Sequence, residues 1–134
     1  MVDVQSEAEQ LFATYLLHWN AQNFEGVAEC YSEPCVFVAP AGTVCLRDRK
    51  AFVEFLKALF SGLNENGFSH STAGSKSAAD CGNGTAILDV ADVRRLKADG
   101  AVLETIDGHY VLKNTPEGWR FTVAVVCEPG WRER

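Results

Sequence analysis

The residues of this chain whose types and spacing suit chemistry are two aspartates and a small set of phenols. Asp89 and Asp92 sit in TAILDVADVRRL, a stretch in which apolar residues alternate with others. A carboxylate among apolar groups has its pKa raised toward neutrality, where it can take up or release a proton. Tyr110 stands in a second alternating stretch, and the Asp99-Gly100 turn between them predicts a hairpin. With a two-residue type I′ turn, Ala98 meets Ala101, Asp89 opposes Tyr110 and Arg95 opposes Glu104. The shared face then carries Ile87, Ala91, Val93, Ile106, Gly108 and Leu112. A four-residue turn slips the register by one. Asp89 then opposes His109, and Asp92 moves to the Tyr110 face. Either register sets one acid, Asp89 ahead of Asp92, beside Tyr110 as a candidate catalytic group.

Tyr15 lies on an apolar helical stripe with Trp19, and Tyr31 follows on the next amphipathic piece. Their rings, with Tyr110, are candidate pocket walls. His70, in FSHST, is a further candidate for ligand contact. His18 and His109 read as surface or interface residues, His109 as the partner of Asp89 in the slipped register. The three histidines have no metal-ligand spacing, so no metal and no cofactor are expected. Five cysteines, an odd number without a Cys-x-x-Cys pair, read as small reduced core residues rather than a disulfide framework. No cysteine has a recognisable histidine partner, which removes thiol nucleophile chemistry. The glycines of Cys81-Gly-Asn-Gly84 predict a turn, because no helix start or Lys-Ser/Thr follows them.

The elements that must position these groups are legible from periodicity. Ser6-Glu-Ala-Glu9 is a capping-box pattern before a helix whose stripe is Leu11, Phe12, Tyr15, Leu16 and Trp19, ending near Asn20. A shorter helix carries Phe24, Val27, Ala28 and Tyr31 and stops at Pro34. A strand from Cys35 to Ala39, a Pro40-Ala-Gly42 turn and a strand from Thr43 to Leu46 follow. Asp48 caps a third helix with Phe52, Phe55, Leu56, Leu59, Phe60 and Leu63 on one face, and Gly67 lies past its end. Period two then takes over, with strands near Phe68 to Ala79, Thr85 to Leu96, Ala101 to Lys113 and Trp119 to Cys127. Helices first and a meander second predict α+β, three N-terminal helices packed on the concave face of a curved antiparallel sheet.

The chain has 134 residues, enough for one core and one domain over 1–134, with nothing resembling a linker or repeat. A net charge of −6 from scattered acids argues against nucleic acid and anionic membrane as partners. Apolar runs fall far short of the roughly 20 residues of a spanning helix. The stretch MVDVQSEAEQ is acidic where a signal peptide starts basic. Together these predict a soluble cytoplasmic protein.

The order of elements, with Asn20-Ala-Gln-Asn23 and the closing Gly118-Trp119-Arg-Phe, resembles the nuclear transport factor 2-like superfamily, which includes SnoaL-like proteins and ketosteroid isomerase. The resemblance covers roughly Glu7 to Cys127. It implies a cone-shaped fold around a deep pocket and a homodimer formed through the sheet. Laid against ketosteroid isomerase, Tyr15 falls at the position of the oxyanion-hole tyrosine, a phenol that donates to a developing enolate oxygen. The general-base aspartate of that enzyme precedes a Pro-x-Gly turn, and Ala39 stands there in this chain. A methyl group accepts no proton, so isomerase chemistry of that type loses a base worth two to four orders of magnitude in rate. The acid of that enzyme's oxyanion hole aligns near Gly108 or Tyr110, and neither is acidic. The expectation is a pocket for a small hydrophobic or carbonyl-bearing molecule, walled by Tyr15, Trp19, Tyr31, Ala39, His70 and Tyr110. The alternative is a SnoaL-like or isomerase-like enzyme using Asp89 or Asp92 as base and Tyr15 as oxyanion donor.

Overall fold

The computed structural model describes residues 3–133, leaving Met1 and Val2 of the acidic N-terminal stretch and Arg134 of the tail outside the described residues. Three helices, α1 (Val4–Asn20), α2 (Phe24–Glu29) and α3 (Arg49–Glu65), cover one face of a curved sheet. Its strands are β1 (Tyr31–Ala39), β2 (Gly42–Leu46), β3 (Phe68–Thr72), β4 (Lys76–Gly82), β5 (Thr85–Lys97), β6 (Val102–Thr115) and β7 (Gly118–Cys127). The order across the sheet is β2-β1-β7-β6-β5-β3, with β4 also on β5. The α+β class and the helix layer are as the sequence predicts. One pairing differs in sense, because β1 runs parallel to β7 and makes the sheet mixed.

Local chemistry sets the helix starts. The Asp3 carboxylate accepts from the Ser6 N–H at 2.7 Å, so α1 begins before the predicted capping box and Ser6 lies inside the helix. That hydrogen bond also lowers the pKa of Asp3. Asp48 caps α3 as predicted, accepting from Ala51 N–H at 2.9 Å. Gly67, just beyond α3, has φ of 82°, a left-handed turn that glycine takes without strain.

The second helix ends sooner than predicted, and the chain is already a strand at Tyr31. Pro34 therefore sits within β1 rather than ahead of it. It falls where the β1–β7 register shifts, between Tyr31 and Val36, so its missing N–H is tolerated. The predicted Phe68 to Ala79 strand is two strands, β3 against the turn-proximal half of β5 and β4 against the far half. The break at Gly74 matches a bulge in β5, where Ala91 and Asp92 are inserted between the Val90–Gly108 and Val93–Ile106 pairs. A Cβ on Gly74 would stand 2.8 Å from the Ala91 carbonyl oxygen, so the two strands bend together only with glycine there. Asp92 takes φ of 56° to make the corner.

The core lies between helices and sheet. Phe12, Phe52, Phe60, Phe121, Leu56, Leu88 and Leu112 are fully buried, each worth roughly 1.5–3 kcal/mol relative to exposure. The C-terminal residues after β7 cross the opposite, outer face. Gly130 N–H donates to Asp107 Oδ2 at 3.0 Å, and the Trp131 ring stands edge-on to His109 at 5.5 Å.

Candidate functional site

A pocket of about 180 Å³ opens between the helices and the inner face of the sheet. Helix α1 turns Phe12, Tyr15, Leu16 and Trp19 into it, because positions three and four apart share one helical face. Phe55 and Leu59 of α3 form a second wall. The sheet contributes Tyr31, Phe37 and Ala39 from β1, Val93 and Arg95 from β5, and Glu104, Ile106, Gly108 and Tyr110 from β6.

Tyr15 is the hub of the aromatic lining. Its ring centroid lies 5.5 Å from Phe12, 5.6 Å from Phe121, 5.9 Å from Trp19 and from Tyr31, and 6.4 Å from Tyr110. Most of these pairs are edge-to-face, the arrangement the ring quadrupole favours. Burial pushes the Tyr15 pKa up to about 12, partly offset by the Arg95 charge, and pushes Tyr31 and Tyr110 well above their ordinary range. These are the three tyrosines of the chain, and all remain protonated donors at neutral pH. The phenols are near enough to bias one another's ionisation, and the Tyr31 hydroxyl approaches that of Tyr15 without completing a well-formed hydrogen bond. Gly108 makes room for this arrangement: a Cβ there would lie 2.8 Å from the Tyr110 hydroxyl oxygen and 2.7 Å from its ring.

The structure brings Tyr15, Trp19, Tyr31, Ala39 and Tyr110 to one pocket. It does not bring His70, Asp89 or Asp92. The register of β3 shifts between Phe68 and His70, which turns Ser71 toward the pocket and leaves His70 beside Ser69 Oγ at 3.1 Å. Asp89 pairs with His109 on the outer face, where His109 Nδ1 donates to its carboxylate at 2.6 Å and Arg132 lies 3.6 Å away. Asp92 is half-exposed at the bulge and bonded to Arg94 Nε at 2.8 Å. Neither acid accompanies Tyr110. Both registers weighed from sequence occur, in different parts of one hairpin: Arg95 opposes Glu104 near the turn, and beyond the bulge Asp89 opposes His109. The inserted residue reverses which parity of β5 faces inward.

The charged groups that do reach the pocket from this hairpin are Arg95 and Glu104. Arg95 Nη1 donates to Glu104 Oε2 at 3.0 Å, and its guanidinium lies 5.6 Å from the centre of the Trp19 ring. The signal for them was present, since both fall on the parity of Val93 and Ile106. The tail with Trp131 packs on the outer face near Asp89 and Asp107 and leaves the pocket mouth alone. Among the described residues no cluster of His, Cys, Asp and Glu is placed to hold a metal ion, and no helix is long and apolar enough to cross a membrane.

Three helices closing over an open curved sheet, with a pocket between the layers, define a cystatin-like α+β domain. The chain belongs to the family described as NTF2-like protein (DUF6841), whose model matches residues 6–129. No curated protein sequence matches it. Among solved structures, it is similar to an NTF2-like protein with a cystatin-like fold from Novosphingobium aromaticivorans, with a TM-score of 0.76 at 16% identity over 94% of this chain and 82% of that one. A domain of unknown function with a cystatin-like fold from Nostoc punctiforme gives 0.78 at 19% identity, covering 100% and 83%. A protein from Catenulispora acidiphila, solved in complex with S-DNPA, gives 0.73 at 17% identity, covering 90% of each chain. At these identities the likeness concerns the fold.

Proposed function

We propose that this chain binds a small, largely hydrophobic molecule, carbonyl-bearing in the simplest case, in the pocket around Tyr15. The observation that carries this reading is the pocket's composition: aromatic and aliphatic walls, three protonated phenols, and no carboxylate free of a cationic partner. Small-molecule sites have this character, mostly apolar with few polar anchors. A volume of about 180 Å³ is of the order of the engineered dry cavities that accept benzene. The Catenulispora acidiphila neighbour, solved with S-DNPA, supports the reading that this shape holds organic ligands.

The enzymatic alternative, a SnoaL-like or isomerase-like general acid–base reaction, keeps Tyr15 as oxyanion donor but loses both aspartates proposed as base. Glu104 is the remaining carboxylate in the lining, and it is engaged by Arg95. Native mass spectrometry of gently purified protein tests binding directly. Extra mass of a small molecule, lost in Ala39→Leu, which extends a side chain of the lining into the pocket, supports the reading; extra mass that survives that substitution places the ligand elsewhere and sinks it.

The same reading includes a homodimer formed through the outer sheet face. Val36, Val38, Val111 and Val123 lie there on three adjacent strands, each half-buried in the single chain. Contiguous apolar surface of this kind marks interfaces.

A further inference from the structure

Two buried side-chain polar atoms among the described residues lack a well-formed hydrogen bond: Arg95 Nε, and the Tyr31 hydroxyl, which has only a loose approach to the Tyr15 hydroxyl. Both residues line the pocket. Buried polar groups are nearly always satisfied, so an unpaired guanidinium N–H among the residues of a pocket asks for a cause. Leaving such a donor unpaired is costly, and more so for a charged one. Both groups can donate, and a guanidinium cannot accept at all. What they lack is an acceptor.

The charge balance points the same way. Arg95 is the one cation in the lining, and its side chain is 17% exposed. Its counter-ion engages Nη1 alone, from a glutamate whose side chain is 48% exposed and so partly satisfied by solvent. Trp19 stacks on the guanidinium without using its N–H groups. The Nε–H has no partner but is closed off from the pocket space, so an anion reaches it by turning the guanidinium away from Glu104.

We propose that the ligand is a small hydrophobic acid: an apolar, ring-sized body bearing a carboxylate or comparable anionic oxygen that accepts a hydrogen bond from Arg95, with the Tyr31 hydroxyl as a second donor. This rests on the binding reading above and adds the ligand's chemical class. Glu104 then acts as the competitor that the incoming anion displaces from part of the guanidinium. Its half-exposed position lets the displaced carboxylate be hydrated.

The test is calorimetric titration with three ring-sized probes, benzoate, benzamide and toluene, at neutral pH. A charge-assisted hydrogen bond predicts that benzoate binds about tenfold or more tightly than toluene. Arg95→Met removes that preference while toluene still binds. Glu104→Gln, which leaves Arg95 in place, tightens benzoate and leaves toluene unchanged, and it keeps the test meaningful if Arg95→Met folds poorly. Toluene binding as tightly as benzoate to the parent protein overturns the acid assignment and leaves the hydrophobic pocket standing. A benzoate preference that survives in Arg95→Met also overturns it. Failure of all three probes to bind, with folded protein by circular dichroism, overturns both this assignment and the binding reading.

Discussion

At the scale of the residue, the pocket is defined by phenols that stay neutral. Burial raises the pKa of Tyr15 from 10.0 to about 12 and also raises Tyr31 and Tyr110 well above their ordinary range. The unfolded chain releases these protons near pH 10 and the folded chain does not, so the phenols' contribution to folding stability is constant below that pH and is lost as pH rises from about 10 through 12. Each phenol ionised in the unfolded state alone costs about 1.4 kcal/mol per pH unit. Near-ultraviolet absorbance of phenolate is therefore expected to appear together with unfolding, in one cooperative step. A gradual titration of folded protein near pH 10 contradicts the burial described for all three. Tyr15 and Trp19 were legible as inward-facing because a helical stripe has one meaning. Arg95 and Glu104 were visible as a cross-strand pair, yet a pair of charges reads as solvated surface until the Trp19 ring is seen against it.

At the scale of the element, the bulge in β5 governs the site. Alternation predicts a single inner face for Ile87, Asp89, Ala91 and Val93. The extra residue at Ala91–Asp92 instead puts Ala86, Leu88 and Val90 inside on one side and Val93 and Arg95 inside on the other. This was not legible because nothing in DVADV marks a bulge: Asp92 takes a left-handed φ without being glycine, and the glycine packed against it, Gly74, lies in the break between β3 and β4. Asp107 holds the corner. Its carboxylate, 8% exposed, accepts the Asp92 N–H at 3.0 Å and the Gly130 N–H at 3.0 Å. Asp107→Ala leaves both amides unpaired and is expected to cost about 2–3 kcal/mol in a urea melt. Hydrogen exchange at the Asp92 and Gly130 amides should accelerate together. Loss of protection at only one of them shows that the carboxylate does not couple the bulge to the C-terminal segment.

At the scale of the whole molecule, the two faces of the sheet have separate roles in the reading offered here, ligand on the inner face and a second copy on the outer. Val123→Lys sets a charge in the middle of the valine face, where burial of an unpaired ammonium is costly. Sedimentation is expected to show the parent as a dimer and this variant as a monomer, with probe binding retained. A monomeric parent removes the dimer from the reading. The topology also bears on how the chain is made. The β1–β2 hairpin meets the rest of the sheet only through β7, with which β1 runs parallel. A nascent chain emerging from the ribosome thus carries the β1–β2 hairpin, with Phe37 on it, unjoined to the rest of the sheet until Gly118–Cys127 has been synthesised. Non-local pairings of this kind close slowly and leave apolar surface open to aggregation meanwhile. Translation that stalls before β7 leaves the β1–β2 hairpin without its link to β6 and the apolar face of both parts open to aggregation.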